Sequence, residues 1–225
     1  MTPDQWADHL DSIAGPVLRG TPLESGSTGV RGAARDFIDR FTDELGHRRA
    51  VDRPLLHHLL GVDLPGPVPP DASLDVELWW GLHHDSDPCD GLAPPPGPLL
   101  GEAEFSRGAI EATTETELAA LHALSHHARG SNSEDLKSRV LDAARWHVDT
   151  LQPDNGTNHP WAVHVFIQLS ESDPAYAAGA ILHAEGLLHN AMVRSGRPDR
   201  FSACVLLDAA RALRTLGGSA SAATG

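Results

Sequence analysis

The amino-acid sequence predicts an all-α protein built from stacked antiparallel helical hairpins. Apolar residues recur at helical spacing through most of the chain, as in the series Ile181, Ala184, Leu188 and Met192. Capping residues precede many of these stretches and glycines follow several of them. Residues 74–82 fit a strand as well as a helix, but no neighbouring segment offers a partner strand. We therefore predict a helix there too.

Four helices are predicted in the N-terminal part of the chain. Thr2 and Gln5 form a capping box around Pro3, and Gly15-Pro16 should end this first helix. Apolar residues at helical spacing predict a second helix over 27–45, with Gly46 after it. Asp52 can cap a third helix that runs to Leu60, and 74–82 form the fourth.

Five helices are predicted in the remainder of the chain. The sequence Thr114 to Glu117 is a capping box that should open a helix ending near Ala128. Ser133 caps the next helix, which ends near Leu151. The last three helices are predicted over 160–169, 173–195 and 199–216.

Two proline-rich stretches, 64–71 and 85–98, are candidate linkers. The second is the predicted boundary between an N-terminal helical region, 1–98, and a helical-hairpin repeat region, 99–216. The glycine- and alanine-rich residues 217–225 are expected to form a disordered tail.

The composition argues against two classes of partner. The formal net charge of −14 repels phosphate backbones and anionic lipids, so we expect neither nucleic-acid nor membrane binding. The first residues, MTPDQWADHL, lack the basic and apolar regions of a signal peptide. The two cysteines, Cys89 and Cys204, are too few for a disulfide framework. We therefore expect a soluble, acidic protein with reduced thiols in the cytoplasm.

An internal repeat joins three of the predicted helices. The segments AALHAL (119–124), WAVHVF (161–166) and FSACVL (201–206) align at offsets of 42 and then 40 residues. In this alignment His122 corresponds to His164, and His147 in turn corresponds to His189. A period of about 40 residues is typical of stacked helical hairpins, as in a short solenoid. Chance similarity between alanine- and leucine-rich helices is the alternative.

Several residues in this region resemble the repeats of a known class of helical proteins. The series Arg145-Trp146, Leu151-Gln152, Gly156 and Trp161 is similar to the Gln–Gly–Trp repeat of the α/α-toroid class, to which terpenoid cyclases and protein prenyltransferases belong. The segments 111–124 and 196–213 also resemble the repeat helices of that class. The resemblance covers roughly 105–216 and implies a partial α/α-toroid.

Candidate catalytic residues are polar groups on predicted apolar faces. A helical wheel places His147 within the apolar arc of its helix, and Asp208 within the apolar arc of the last helix. A buried imidazole can act as a base or ligand, and a buried carboxylate needs a partner such as Arg211 or a histidine. Structural hydrogen bonding is the alternative role for both residues.

Two further pairs have the i, i+4 spacing that places side chains together on a helix. Glu185 and His189 could orient an imidazole for acid–base chemistry, could bind a metal, or could form an ordinary solvated helix edge. His122 and His126 share the geometry of a helical metal pair, but no HExxH pattern accompanies them. We assign no metal, and the sequence implies no particular cofactor.

The polar turn before the helix at 160–169 is a candidate pocket. Its residues of interest are Asp154, Asn155, Asn158, His159, Trp161 and His164. The Asn-His pair resembles the one that some α/α-toroid polysaccharide lyases use, in which the amide neutralises a carboxylate while histidine removes a proton. The alternative is that Asn158 or His159 only caps the following helix.

Three functions remain open at this stage. The first is binding of a ligand or partner on the concave inner face of the repeat, without an assignable reaction. The second is a toroid-type enzyme, lyase- or cyclase-like, in which His147, Glu185, His189 and Asp208 converge on one pocket as acids and bases. The third is binding of a metal by histidines. We favour the first, and neither the small-molecule nor the protein partner is identified.

Overall fold

The structure is a computed structural model that describes residues 1–24, 31–84, 91–151 and 159–222. These residues form α-helices and contain no strand, which confirms the all-α class. No helix in these ranges is long and apolar enough to cross a lipid bilayer. The helices are α1 (Pro3–Leu18), α2 (Arg31–Arg40), α3 (Asp52–Leu60), α4 (Leu74–Gly81), α5 (Glu102–Arg107), α6 (Ile110–Gly130), α7 (Glu134–Thr150), α8 (Val163–Ser172), α9 (Ala177–Met192) and α10 (Arg200–Ala222).

The chain divides into two compact units. The first unit comprises Met1–Pro67 and Met192–Gly225, and the second unit comprises Val68–Ala191. The boundary that the sequence placed at residue 98 therefore lies inside the second unit. α10 continues to Ala222, beyond the glycine pair at 217–218 where its end was predicted.

The first unit is built on the packing of α1 along α10, with α3 contacting both α10 and α2. Thr2 accepts a hydrogen bond from the backbone N–H of Gln5, so the predicted capping box is present. The sequence predicted that α1 ends at Gly15-Pro16, but the helix continues through these residues to Leu18. Leu18 is fully buried, and burial of such a side chain contributes about 1.5–3 kcal/mol. This gain offsets the backbone hydrogen bond that Pro16 cannot donate.

α2 ends at Arg40, five residues before its predicted end. The reason is Asp43, whose Oδ1 accepts the backbone N–H groups of Leu45 and His47 at 2.9 and 2.8 Å. Burial acts to raise the pKa of Asp43, but these hydrogen bonds and the guanidinium of Arg49 lower it overall. The buried carboxylate of Asp43 thus stabilises a turn over residues 43–47, and α2 does not extend into these residues.

The second unit is arranged around α6, which packs on α4, α5, α7 and α8. α4 is a helix, as predicted, and the six-residue α5 is an element that the sequence did not predict. α6 begins at Ile110, so Thr114 and Glu117 lie inside it and are buried. The predicted capping box at 114–117 is therefore wrong. Ser133 does cap α7 by accepting the backbone N–H of Leu136.

α9 approaches α7 closely at Gly179. A Cβ atom added at this glycine would lie 2.5 Å from Cγ1 of Val148. Alanine normally stabilises a helix interior by about 1 kcal/mol relative to glycine. We expect Gly179→Ala to destabilise the protein by about 1–2 kcal/mol instead, because a β-branched valine has little freedom to move aside.

Chemical denaturation of matched variants tests this contact. Gly32→Ala in α2 is the control, since Gly32 is exposed and nothing lies within 4 Å of the added Cβ, so this variant should not be destabilised. Adding Val148→Ala to Gly179→Ala should restore much of the lost stability. A stabilising effect of Gly179→Ala alone would contradict the close approach of the two helices.

Candidate functional site

The first candidate residues lie in the second unit, where a buried carboxylate holds the 93–100 loop. Glu117 is fully buried, and its Oε1 and Oε2 accept the backbone N–H groups of Leu99 and Leu100 at 2.6 and 2.8 Å. The guanidinium of Arg139 donates to the carbonyls of Gly97 and Pro98 at 2.8 Å and to that of Ala93 at 3.0 Å. Glu117 thus binds backbone N–H groups of the loop, and Arg139 binds its carbonyl groups.

His147 lies beside this carboxylate. It is buried, as the helical wheel of α7 predicted, and its Nε2 lies 3.7 Å from Oε1 of Glu117. Nε2 has no hydrogen-bond partner among the described residues. An imidazole beside a carboxylate is the pairing used in general acid–base catalysis. Here, however, both Glu117 oxygens already accept backbone N–H groups and neither side chain reaches solvent.

Glu185 and His189, the other predicted catalytic residues of this unit, are both exposed on α9. The structure therefore does not bring them into one enclosed pocket with His147. The residue of α9 that does lie near His147 is His183, which is buried and stacks on Phe166 with 5.1 Å between ring centroids. Burial, and then the nearby His147, lower the pKa of His183 to about 4. His183 therefore stays neutral in the folded protein at neutral pH.

Asp208 belongs to the first unit and is buried in α10. Its Oδ1 lies 3.6 Å from Nε2 of His58 in α3, so a histidine is near the carboxylate, as the sequence analysis required. Arg211, the other expected partner, instead donates to the carbonyl of Leu59 at 2.6 Å. Asp208 is thus placed at the packing of α10 on α3.

The predicted turn pocket is described only in its second half. Asp154, Asn155 and Asn158 lie outside the described residues. His159 and Trp161 are buried, and α8 begins at Val163, with Ala162 as its N-cap in the left-handed conformation and no side-chain cap. The expectation that His159 caps this helix at 160 is therefore wrong. The start of α8 is set instead by the side chain of His122, whose Nδ1 accepts the backbone N–H of Ala162 at 3.2 Å.

His122 belongs to a cluster of aromatic and imidazole rings, here called the histidine–tryptophan cluster. Its members are Trp79, His122, His126, Trp161 and His164. His122 and His164, which correspond in the repeat, have ring centroids 4.3 Å apart. The cluster therefore joins residues of α4, α6 and α8.

The hydrogen bonds of this cluster require an acceptor ring nitrogen on His122 and on His126. Ser125 donates to the carbonyl of His122, so its Oγ accepts from Nε2 of His164 at 2.7 Å. Nδ1 of His126 accepts from Arg129 at 2.6 Å. Trp161 donates through Nε1 to Glu115 at 2.7 Å. With His122 and His164 buried, this arrangement is typical of a polar core that fixes helices in register.

A different location offers an open cavity. A cleft of about 660 Å³ lies in the first unit, between the turn at 20–24, α2 and the start of α10. Phe37 and Phe41 contribute rings whose centroids are 5.6 Å apart at an angle of 70°. Phe41 is buried and Phe37 is half-buried, so the pair provides an apolar wall.

Four charged side chains line the same cleft. Arg200 is held by a hydrogen bond from its guanidinium to the carbonyl of Thr42 at 3.3 Å. Glu24 is held by the backbone N–H of Gly20, which donates to its Oε2 at 2.8 Å. Asp36 and Arg40 project from α2 and are exposed. The cleft therefore combines an apolar wall with charges of both signs.

None of these cleft residues was predicted from the sequence as part of a site. The sequence signals were buried polar residues and a repeat, whereas the cleft is formed by chain segments far apart in sequence, with 158 residues separating Arg200 from Thr42. The i, i+4 spacing of Asp36 and Arg40, together with Phe37 and Phe41, was the available signal. Comparison with known proteins adds no relative: no family model, no curated protein and no solved structure matches the chain.

Proposed function

We propose that the protein binds a small organic ligand and that the cleft beside α2 is the binding site. The observation that supports this most is the cleft itself, of about 660 Å³, with Phe37, Phe41 and four charged side chains on its walls. Sites for small molecules are concave, about 300–1,000 Å³ in volume, and combine an apolar wall with a few polar groups. The cleft is open to solvent, and it has the volume and the mixed lining of such a site.

The catalytic alternative has weaker support. A toroid-type enzyme would need acid and base groups that converge where a substrate can reach them. His147 and Glu117 are near each other but enclosed, while Glu185 and His189 are exposed on α9. Binding without an assignable reaction is therefore the function that we propose.

We also propose that the hairpins α6–α7 and α8–α9 are successive repeats, as in a partial α/α-toroid or short solenoid. The adjacent rings of His122 and His164 support the repeat for the hairpins α6–α7 and α8–α9. Two other observations do not support the repeat. His147 is buried while its counterpart His189 is exposed, and α10 packs along α1. The ligand site that we propose therefore does not depend on the repeat.

We propose a cytoplasmic location and a partner that is neither nucleic acid nor membrane. The net charge of −14 supports this, because it disfavours binding to polyanions and anionic lipids. Cys204 is buried, and burial raises the pKa of its thiol. Such a thiol is unreactive and suits a reducing compartment.

Filling the cleft with a bulky side chain tests the proposed function. Ala33 is exposed on α2 and lines the cleft, so Ala33→Trp should occupy it without disturbing the core. Ligand-observed NMR with a library of neutral, acidic and basic fragments should detect hits for the unmodified protein. We expect these hits to weaken at least about tenfold in Ala33→Trp, since a tryptophan side chain displaces a ligand from much of the cleft.

Ala112→Trp is the matched control, because Ala112 is an exposed alanine of α6 in the second unit. This variant should bind the same fragments as the unmodified protein. A library without hits, or hits that bind Ala33→Trp unchanged, would contradict the proposal.

A further inference from the structure

α2 carries two opposite charges that are not joined to each other. Asp36 and Arg40 are one helical turn apart, with the acid nearer the N-terminus, which is the favourable order for an ion pair. Within the described part of the chain, neither side chain takes part in an ion pair or hydrogen bond. Both line the cleft.

The four charged side chains of the cleft differ in whether they form hydrogen bonds within the protein. Glu24 and Arg200 already bind backbone groups, at 2.8 and 3.3 Å respectively. Asp36 and Arg40 make no such bond to the residues that the structure describes. A ligand that met both would gain two charge-assisted hydrogen bonds, which are about twice as strong as neutral ones.

We infer that the cleft binds a zwitterion of the α-amino-acid type with an apolar side chain, and this inference rests on the proposed function. Side chains one turn apart have Cβ atoms about 5–6 Å from each other. A single α-amino-acid head group can therefore place its carboxylate on Arg40 and its ammonium on Asp36. Its apolar side chain then packs against Phe37 and Phe41.

The balance of charge excludes the simpler ligand classes. A plain anion in the cleft would lie near Glu24 and Asp36, and a plain cation would lie near Arg40 and Arg200. Either would leave Asp36 or Arg40 without a partner and place it near a like charge. Only a ligand with both charges satisfies the Asp36 and Arg40 side chains together.

Three ligands that differ by one charged group each provide the test. L-Phenylalanine carries both charges, 3-phenylpropionate lacks the ammonium, and phenethylamine lacks the carboxylate. We expect isothermal titration calorimetry to show that L-phenylalanine binds about tenfold or more tightly than either analogue. In Arg40→Gln it should bind no better than phenethylamine, and in Asp36→Asn no better than 3-phenylpropionate.

The control variants are Arg35→Gln and Asp39→Asn, which change exposed charges of α2 that line a separate cavity of about 240 Å³. These should retain the preference for the zwitterion. Equal affinity for all three ligands would overturn the inference while leaving the proposed function intact. So would no binding of L-phenylalanine at millimolar concentration, because the fragment library tests the function independently. A preference that persists in both Arg40→Gln and Asp36→Asn would also overturn it.

Discussion

Replacing Glu117 with alanine should lower the free energy of unfolding of the second unit by about 3–5 kcal/mol. Two backbone N–H groups, those of Leu99 and Leu100, would lose their acceptor, and each unsatisfied buried donor costs about 1–3 kcal/mol. The buried guanidinium of Arg139, which Glu117 stabilises electrostatically, would lose a neighbouring negative charge. Urea denaturation should show the loss.

Glu111→Ala is the control for this experiment, because Glu111 is an exposed glutamate on the same helix. It should change stability by no more than about 1 kcal/mol, because Glu111 lies in the first turn of α6, where its charge interacts with the helix dipole. Hydrogen exchange gives a local measurement: the amides of Leu99 and Leu100 should exchange much faster in Glu117→Ala than in Glu111→Ala. Equal protection of these amides in the two variants would show that Glu117 does not hold the 93–100 loop.

Acid should destabilise the second unit through His183. The pKa of His183 is about 4 in the folded protein, against 6.5 for an ordinary histidine. Between pH 6.5 and pH 4 the unfolded chain binds a proton at His183 that the folded chain does not bind. The free energy of unfolding is therefore unaffected by the titration of His183 above pH 6.5, and it decreases as the pH falls from 6.5 towards 4. The loss should amount to about 2–3 kcal/mol. It can be measured by denaturation at a series of pH values.

The contribution of His183 to the pH dependence of stability must be measured as a difference between variants. The reason is that Asp52, in the first unit, changes stability with pH in the opposite direction. Burial raises the pKa of Asp52 to about 6, so its contribution to stability decreases as the pH rises from 3.8 to about 6. His183→Gln should lack part of the acid sensitivity of the unmodified protein. His189→Gln, which changes an exposed histidine of the same helix, should retain all of it. Identical pH dependence in the two variants would contradict the account.

The sequence predicted the helical class and the burial of particular residues. Spacing alone placed His147 and Asp208 on apolar faces, and both are buried. It also identified the capping roles of Thr2 and Ser133. These features depend on neighbours within one or two helical turns, and local sequence contains that information.

Features that depend on distant neighbours were not predictable in this way. The local sequence predicts Glu117 to be a capping residue. Its partners, Leu99 and Leu100, instead lie in a loop 18 and 17 residues earlier, respectively. His183 is buried against Phe166, whereas Glu185, two residues later on the same helix, is exposed. The packing of α10 along α1 brings the two ends of the chain together, which no periodic signal indicates. The cleft beside α2 depends on the same long-range packing.

The proposed ligand site, the cleft beside α2, can be located by a two-dimensional amide NMR titration with the strongest fragment from the library. We expect the chemical-shift changes to concentrate on residues 20–24, on α2 and at Arg200. Changes concentrated instead around the histidine–tryptophan cluster or His147 would contradict this expectation and favour an inner-face site in the second unit.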